Sequence, residues 1–155
     1  MKKENIAKVL ENVDKEVLIE MLLKKLSNKS NSLKERREKI PLSAFTKELS
    51  ILESVVKYLK ENCKYKYSQI AKILNRDDRT IWTTYNNAKN KDKITVYDSD
   101  FDIPIKMFFK KKLSALESMS VFLKKEYDLG FTDIARLIDR NPKTIWTAYN
   151  RAKKK

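Results

Sequence analysis

Apolar residues recur along this chain at helical spacing. Near the start they fall at Ile6, Val9, Leu10 and Val13, then at Val17, Leu18, Met21, Leu22 and Leu26, the i, i+3, i+4 rhythm of a helix with one apolar face. Asp14 is placed to cap a second helix, so two short helices or one bent helix are expected. Residues 27–39 turn polar, Ser-Asn-Lys-Ser-Asn-Ser and then Lys-Glu-Arg-Arg-Glu-Lys, which predicts a solvated linker whose second half can extend into helix. Segment 1–39 is thus a helical N-terminal piece with its linker.

Beyond it the pattern repeats. Ile40-Pro41 and Ile103-Pro104 each lead through a Phe-bearing stretch into Leu-Ser-x-Leu-Glu-Ser, and 49–91 aligns without a gap on 113–155 with about 19 identities in 43 positions, far above chance. Ser50 with Glu53, and Ser114 with Glu117, have capping-box spacing, so a helix begins at both places. Leu52, Val55, Val56 and Leu59 in one copy, and Leu116, Met119, Phe122 and Leu123 in the other, give that helix its apolar stripe.

A second helix follows from about Tyr67 or Phe131. Ala71 and Ala135 supply the small side chain that two steeply crossing helices need where their axes approach. Asn75 and Asp139 stand four residues on, where a tight turn requires a left-handed backbone that these types tolerate after glycine. Asp77 and Asn141 then sit as N-caps, and Pro142 occupies a first helical position where its missing N–H costs nothing. Along the third helix Ile81, Trp82, Tyr85 and Ala88, matched by Ile145, Trp146, Tyr149 and Ala152, are expected to be buried. The two indoles are assigned to the core in preference to stacking on bases; a phenol hydroxyl of either tyrosine is within reach of a phosphate. The expected fold class is therefore all-α: two tandem helix-turn-helix units of three or four helices, at 40–91 and 103–155, after the helical N-terminal segment. Residues 92–102, with strand-like Ile94-Thr95-Val96-Tyr97, predict an extended linker.

Composition narrows the chemistry. With 35 Lys and Arg against 21 Asp and Glu, a formal charge of +14 and a pI near 9.7, the expected partner is a polyanion, since each phosphate neutralised releases counterions. There is no His and one cysteine, Cys63, which removes the usual zinc, haem and imidazole-dependent catalytic sets. One glycine, Gly130, leaves no phosphate-cradling loop. Asp98, Asp100 and Asp102 alternate like a calcium loop but lack its glycine and terminal glutamate. The expectations are no enzyme, no cofactor, no metal, no membrane span and a reducing cytoplasm.

The outward side of the third helix carries the candidate site. Arg79, Thr80, Thr83, Thr84 and Asn87 in the first copy, and Lys143, Thr144, Thr147, Ala148 and Arg151 in the second, are expected to read base edges: Arg with guanine, Asn with adenine, Thr or Ala with the thymine methyl. Lys72, Arg76, Lys89, Arg136, Arg140 and Lys153 are placed for the phosphate backbone. Because Thr84 opposes Ala148 and Asn87 opposes Arg151, unlike half-sites about one helical turn apart are expected, held by two tethered heads.

The stretches Tyr67-Ser68-Gln69-Ile70-Ala71-Lys72-Ile73-Leu74-Asn75-Arg76 and Arg79-Thr80-Ile81-Trp82-Thr83-Thr84-Tyr85, with their second copies, resemble the helix-turn-helix of sigma factor region 4. The whole layout is similar to the small euryarchaeal archaellum regulators, activators of archaellum operons. What this resemblance implies is a recognition helix in the major groove and regulation of transcription at a promoter, with 1–39 outside the likeness and available to the transcription machinery or to dimerisation. Competing readings are a protein-interaction adaptor, a non-specific architectural DNA- or RNA-binding protein, and an orphan recombinase module.

Overall fold

The computed structural model describes residues 15–97 and 101–155 and is mostly helical. In chain order come α1 (Lys15–Arg37), β1 (Lys39–Pro41), α2 (Ile51–Glu61), α3 (Tyr67–Leu74), α4 (Asp78–Ala88), β2 (Asp102–Pro104), α5 (Ala115–Glu126), α6 (Phe131–Leu137) and α7 (Pro142–Lys153). A short 3-10 turn follows each strand, Leu42–Ala44 and Ile105–Phe109. Helix α1 stands as one unit and Glu38–Lys155 as another.

Helix α1 corrects the first half of the expected linker and includes residues of its second half, where helix was allowed. Residues 27–37 stay helical: no glycine or proline interrupts them, and the Ser27 hydroxyl donates to the Lys24 carbonyl at 2.9 Å, which folds a turn-forming side chain into the helix. In its first half Val17, Ile19, Met21, Leu22, Leu23 and Leu26 are exposed. The apolar positions 6, 9, 10 and 13 and the Asp14 cap lie outside the described residues.

Within Glu38–Lys155 the two copies share one hydrophobic core. Each Ile-Pro dipeptide forms a three-residue strand, and the two strands pair antiparallel with Ile40 opposite Ile103, both fully buried. The expectation of a purely helical chain is corrected by this small sheet, and that of two tethered heads by the common core. The signal was the proline that ends each strand: it fixes an extended backbone before it and offers no N–H to prolong the ladder. Ile94-Thr95-Val96-Tyr97, expected to be strand-like, forms no strand. Residues 98–100, with two of the three alternating aspartates, lie outside the described residues. Pairing equivalent segments antiparallel relates the two strands by a local two-fold.

Local chemistry places the helices as expected. Ser50 Oγ accepts from Glu53 N and Glu53 Oε2 accepts from Ser50 N, and Ser114 with Glu117 does the same. Asn75 and Asp139 have φ of 51° and 49°, the left-handed turn that separates the second helix from the third. Ala71 and Ala135 are buried between helices. Lys57, 2% exposed, donates from Nζ to the carbonyls of Ala88 at 2.9 Å and of Lys89 and Lys91 at 3.3 Å, closing the C-terminus of α4.

The two-fold is broken at Arg140. Its guanidinium donates to the carbonyls of Thr46 at 3.3 Å, Lys47 at 3.4 Å and Leu49, so the turn of the second copy clamps the loop that leads into α2. The same Nη1 reaches the Asp139 carbonyl at 3.0 Å. Arg140 is therefore a structural donor, not the free phosphate contact expected of it. Arg76, its counterpart, is half-buried with Nε lacking a partner. Arg140→Ala is expected to lower unfolding stability in urea by about 1–3 kcal/mol, because it removes a charged donor from the part-buried carbonyls of Thr46 and Leu49, and Arg76→Ala by clearly less.

Candidate nucleic-acid interface

The third helix of each copy turns inward the side expected of it, except at the tryptophans. Ile81 and Ala88 are buried with Thr84 and Tyr85 half-buried, and Ile145 and Ala148 are buried with Tyr149 and Ala152 half-buried. Trp82 and Trp146 face solvent at 56% and 55% exposure. The reason is helical geometry: a residue next to a buried isoleucine lies about 100° around the axis, whereas those three, four and seven positions on stay within about 60°. Placing the indoles in the core is thus corrected, as is Ala148 on the outer face, where it is 6% exposed. A buried Ala148 cannot meet a thymine methyl.

The remaining candidates divide by environment. Arg79, Thr80, Thr83 and Asn87 on α4, and Lys143, Thr144 and Arg151 on α7, are exposed. Thr84 and Thr147 are half-buried, and each hydroxyl donates one turn back, to Thr80 O and Lys143 O, both at 2.8 Å. Their O–H is spent on the helix, which leaves an acceptor oxygen and a methyl for any contact. Asn86 and Asn150, which sequence reasoning passed over, each donate an amide N–H to the carbonyl of Trp82 or Trp146 at 3.0 Å.

Among the backbone candidates Lys72, Arg136, Lys89 and Lys153 are exposed. Arg136 lies 3.7 Å from Asp133 on the same helix, an exposed pair that leaves its charge largely available. Lys153 Nζ lies 5.1 Å from the Tyr149 ring centre. Tyr85 does not offer its hydroxyl to a phosphate: it donates to Glu61 at 3.2 Å, and burial together with that carboxylate pushes the phenol pKa up.

The ends of the two third helices differ. Helix α4 opens on Asp77 and Asp78, both exposed, and the Asp77 side chain makes no cap bond. Helix α7 opens on Asn141, whose side chain accepts from Lys143 N at 2.9 Å, then Pro142 and Lys143. A shallow concavity beside α7 is lined by Ser114, Glu117, Asn141, Lys143, Thr144 and Arg151. The two faces therefore carry different potentials at the end where a helix N-terminus attracts anions.

A clasp holds both faces in place. Lys91, just past α4, reaches both carboxylate oxygens of Glu53 at 3.0 Å, and Lys155, just past α7, reaches Glu117 at 2.7 Å. Each glutamate thus ties the start of its copy's first helix to the end of the third. Burial pulls these carboxyl pKa values up, but the serine N–H and the lysine outweigh it, leaving both below the ordinary carboxylate value.

No family model matches the chain, and neither a curated protein nor a solved structure matches it. Among the described residues no group of three or more His, Cys, Asp or Glu could hold a metal ion, and no helix is long and apolar enough to cross a membrane.

A carboxylate with a depressed folded-state pKa stabilises the fold above its unfolded pKa, and that contribution disappears as pH falls through the folded value. Glu53→Gln and Glu117→Gln are expected to cost about 1 kcal/mol each near neutral pH. Both should flatten the fall in melting temperature of the parent protein below about pH 4.5, read by circular dichroism across a pH series.

Proposed function

We propose that this chain is a non-enzymatic, sequence-specific double-stranded DNA-binding regulator of transcription, acting in the cytoplasm as a tandem helix-turn-helix protein. The observation that carries the reading is the repeated outer face of α4 and α7: exposed Arg79, Thr80, Thr83 and Asn87 on one, exposed Lys143, Thr144 and Arg151 on the other. Threonine, asparagine and arginine on a protruding helix match the donor and acceptor pattern of major-groove base edges. Lys72, Lys89, Arg136 and Lys153, exposed around them, suit phosphates that set register. The overall charge of +14 adds the salt-dependent attraction that brings duplex and protein together.

The arrangement of the copies refines the operator. A common core presents the two helices as one preorganised pair, so binding does not have to order a linker. The local two-fold of β1 and β2 favours inverted half-sites. Because α4 opens on two aspartates and α7 on Asn-Pro-Lys, and Ala148 is withdrawn where Thr84 is partly exposed, the halves should differ, giving an imperfect palindrome. The exposed apolar residues of α1, from Val17 to Leu26, favour a second role in contacting a protein of the transcription machinery.

Selection of bound duplexes from a random pool is expected to enrich a bipartite, imperfectly inverted motif; uniform recovery of all sequences would instead identify a non-specific architectural protein. Arg79→Ala should relax preference at one position of that motif at a cost of about 1–3 kcal/mol. Lys72→Ala should weaken binding to every duplex and lower the salt slope by about 1.

A further inference from the structure

Trp82 and Trp146 are the only tryptophans of the chain, occupy matching positions of the two copies, and keep more than half of their surface in solvent. A single exposed apolar side chain is ordinary. Two indoles left in water at the same turn of both copies, beside Arg79 and Thr83 in one and Lys143 and Thr147 in the other, are not explained by packing. In each copy the asparagine four residues on donates its amide N–H to the tryptophan's backbone carbonyl.

We propose that both indoles are direct ligand contacts, lying against the wall of a duplex's major groove over deoxyribose carbons and thymine methyls. This rests on the DNA-binding reading of α4 and α7. The placement selects the contact: Arg79 and Thr83 lie roughly opposite Ile81 on the helix, at about 160° and 200°, where a side chain meets the groove floor, whereas Trp82 stands at about 100°, on the flank. Groove floors offer base-edge hydrogen bonds, and the flank offers sugar and methyl carbon that an indole can cover. Single strands are bound differently, by runs of aromatic rings along a groove on which successive bases stack. Here each helix carries one exposed ring, among Thr, Asn, Arg and Lys side chains, and its tyrosine is half-buried.

The two residues report on themselves. In Trp82→Phe the emission comes from Trp146 alone, and in Trp146→Phe from Trp82 alone. Each variant is titrated with an end-labelled random-sequence duplex at low ionic strength, and with any sequence enriched from it, following label anisotropy for binding and indole emission with acrylamide quenching for contact. The expected result is a blue shift and reduced quenching of both indoles in step with the anisotropy, and a loss of duplex affinity of about tenfold for Trp82→Ala or Trp146→Ala with unchanged urea midpoints. Normal anisotropy with unchanged emission and quenching overturns the contact while leaving the DNA reading intact. No anisotropy change with any duplex overturns both, and strong indole quenching confined to the single-stranded form of the same oligonucleotide overturns the groove-wall placement in favour of base stacking.

Discussion

Two isoleucines facing each other across a three-residue ladder decide how this chain is built. Ile40 and Ile103 are fully buried in the antiparallel pair of β1 and β2, and through them two sets of three helices become one body. A strand this short has little stability alone. It persists because Phe45, Leu59, Ile105, Phe108 and Leu123 belong to the same core, so the ladder and the helix packing support each other. Separating the copies would expose both isoleucines and the Arg140-bound loop together.

Much of this was legible from the residues because the signals are local. The capping boxes at Ser50 and Ser114, the left-handed Asn75 and Asp139 and the small Ala71 and Ala135 each follow from chemistry within four residues, and each is found as expected. The misplacements arise where the deciding partner is distant or the angular resolution too coarse. Arg140 binds carbonyls more than ninety positions away, which no window along the chain contains. The ordinary behaviour of tryptophan and an adjoining isoleucine predict Trp82 and Trp146 inside, yet one step along a helix leads off the buried stripe and both are exposed. Helix α1 outlasted its expected end because serine and asparagine mark turns only when nothing else continues the helix.

The fold fixes some positions of the third helix and the surface leaves others free. Most inward positions of the third helix agree between copies, Ile81 with Ile145, Tyr85 with Tyr149 and Ala88 with Ala152, with Thr84 against Ala148 the exception. Some outer positions change identity, Arg79 to Lys143 and Asn87 to Arg151, while Thr80 and Trp82 return as Thr144 and Trp146. Packing demands shape at the first set, and water tolerates variety at the second. The glutamate clasps belong to the first group, since Lys91 and Lys155 both hold the far end of the third helix to the start of the first.

Joining both halves in a single polypeptide has a further result. A symmetric homodimer must use one sequence for both of its subunits, so a change that improves one half of a recognition site is imposed on the other. Here the partner is covalent and always present at one-to-one stoichiometry, and assembly across the isoleucine ladder does not depend on concentration. The sequences of α4 and α7 are thereby released from self-matching. The differences between Asp78 and Pro142 and between Thr84 and Ala148 are the form that such independent drift takes.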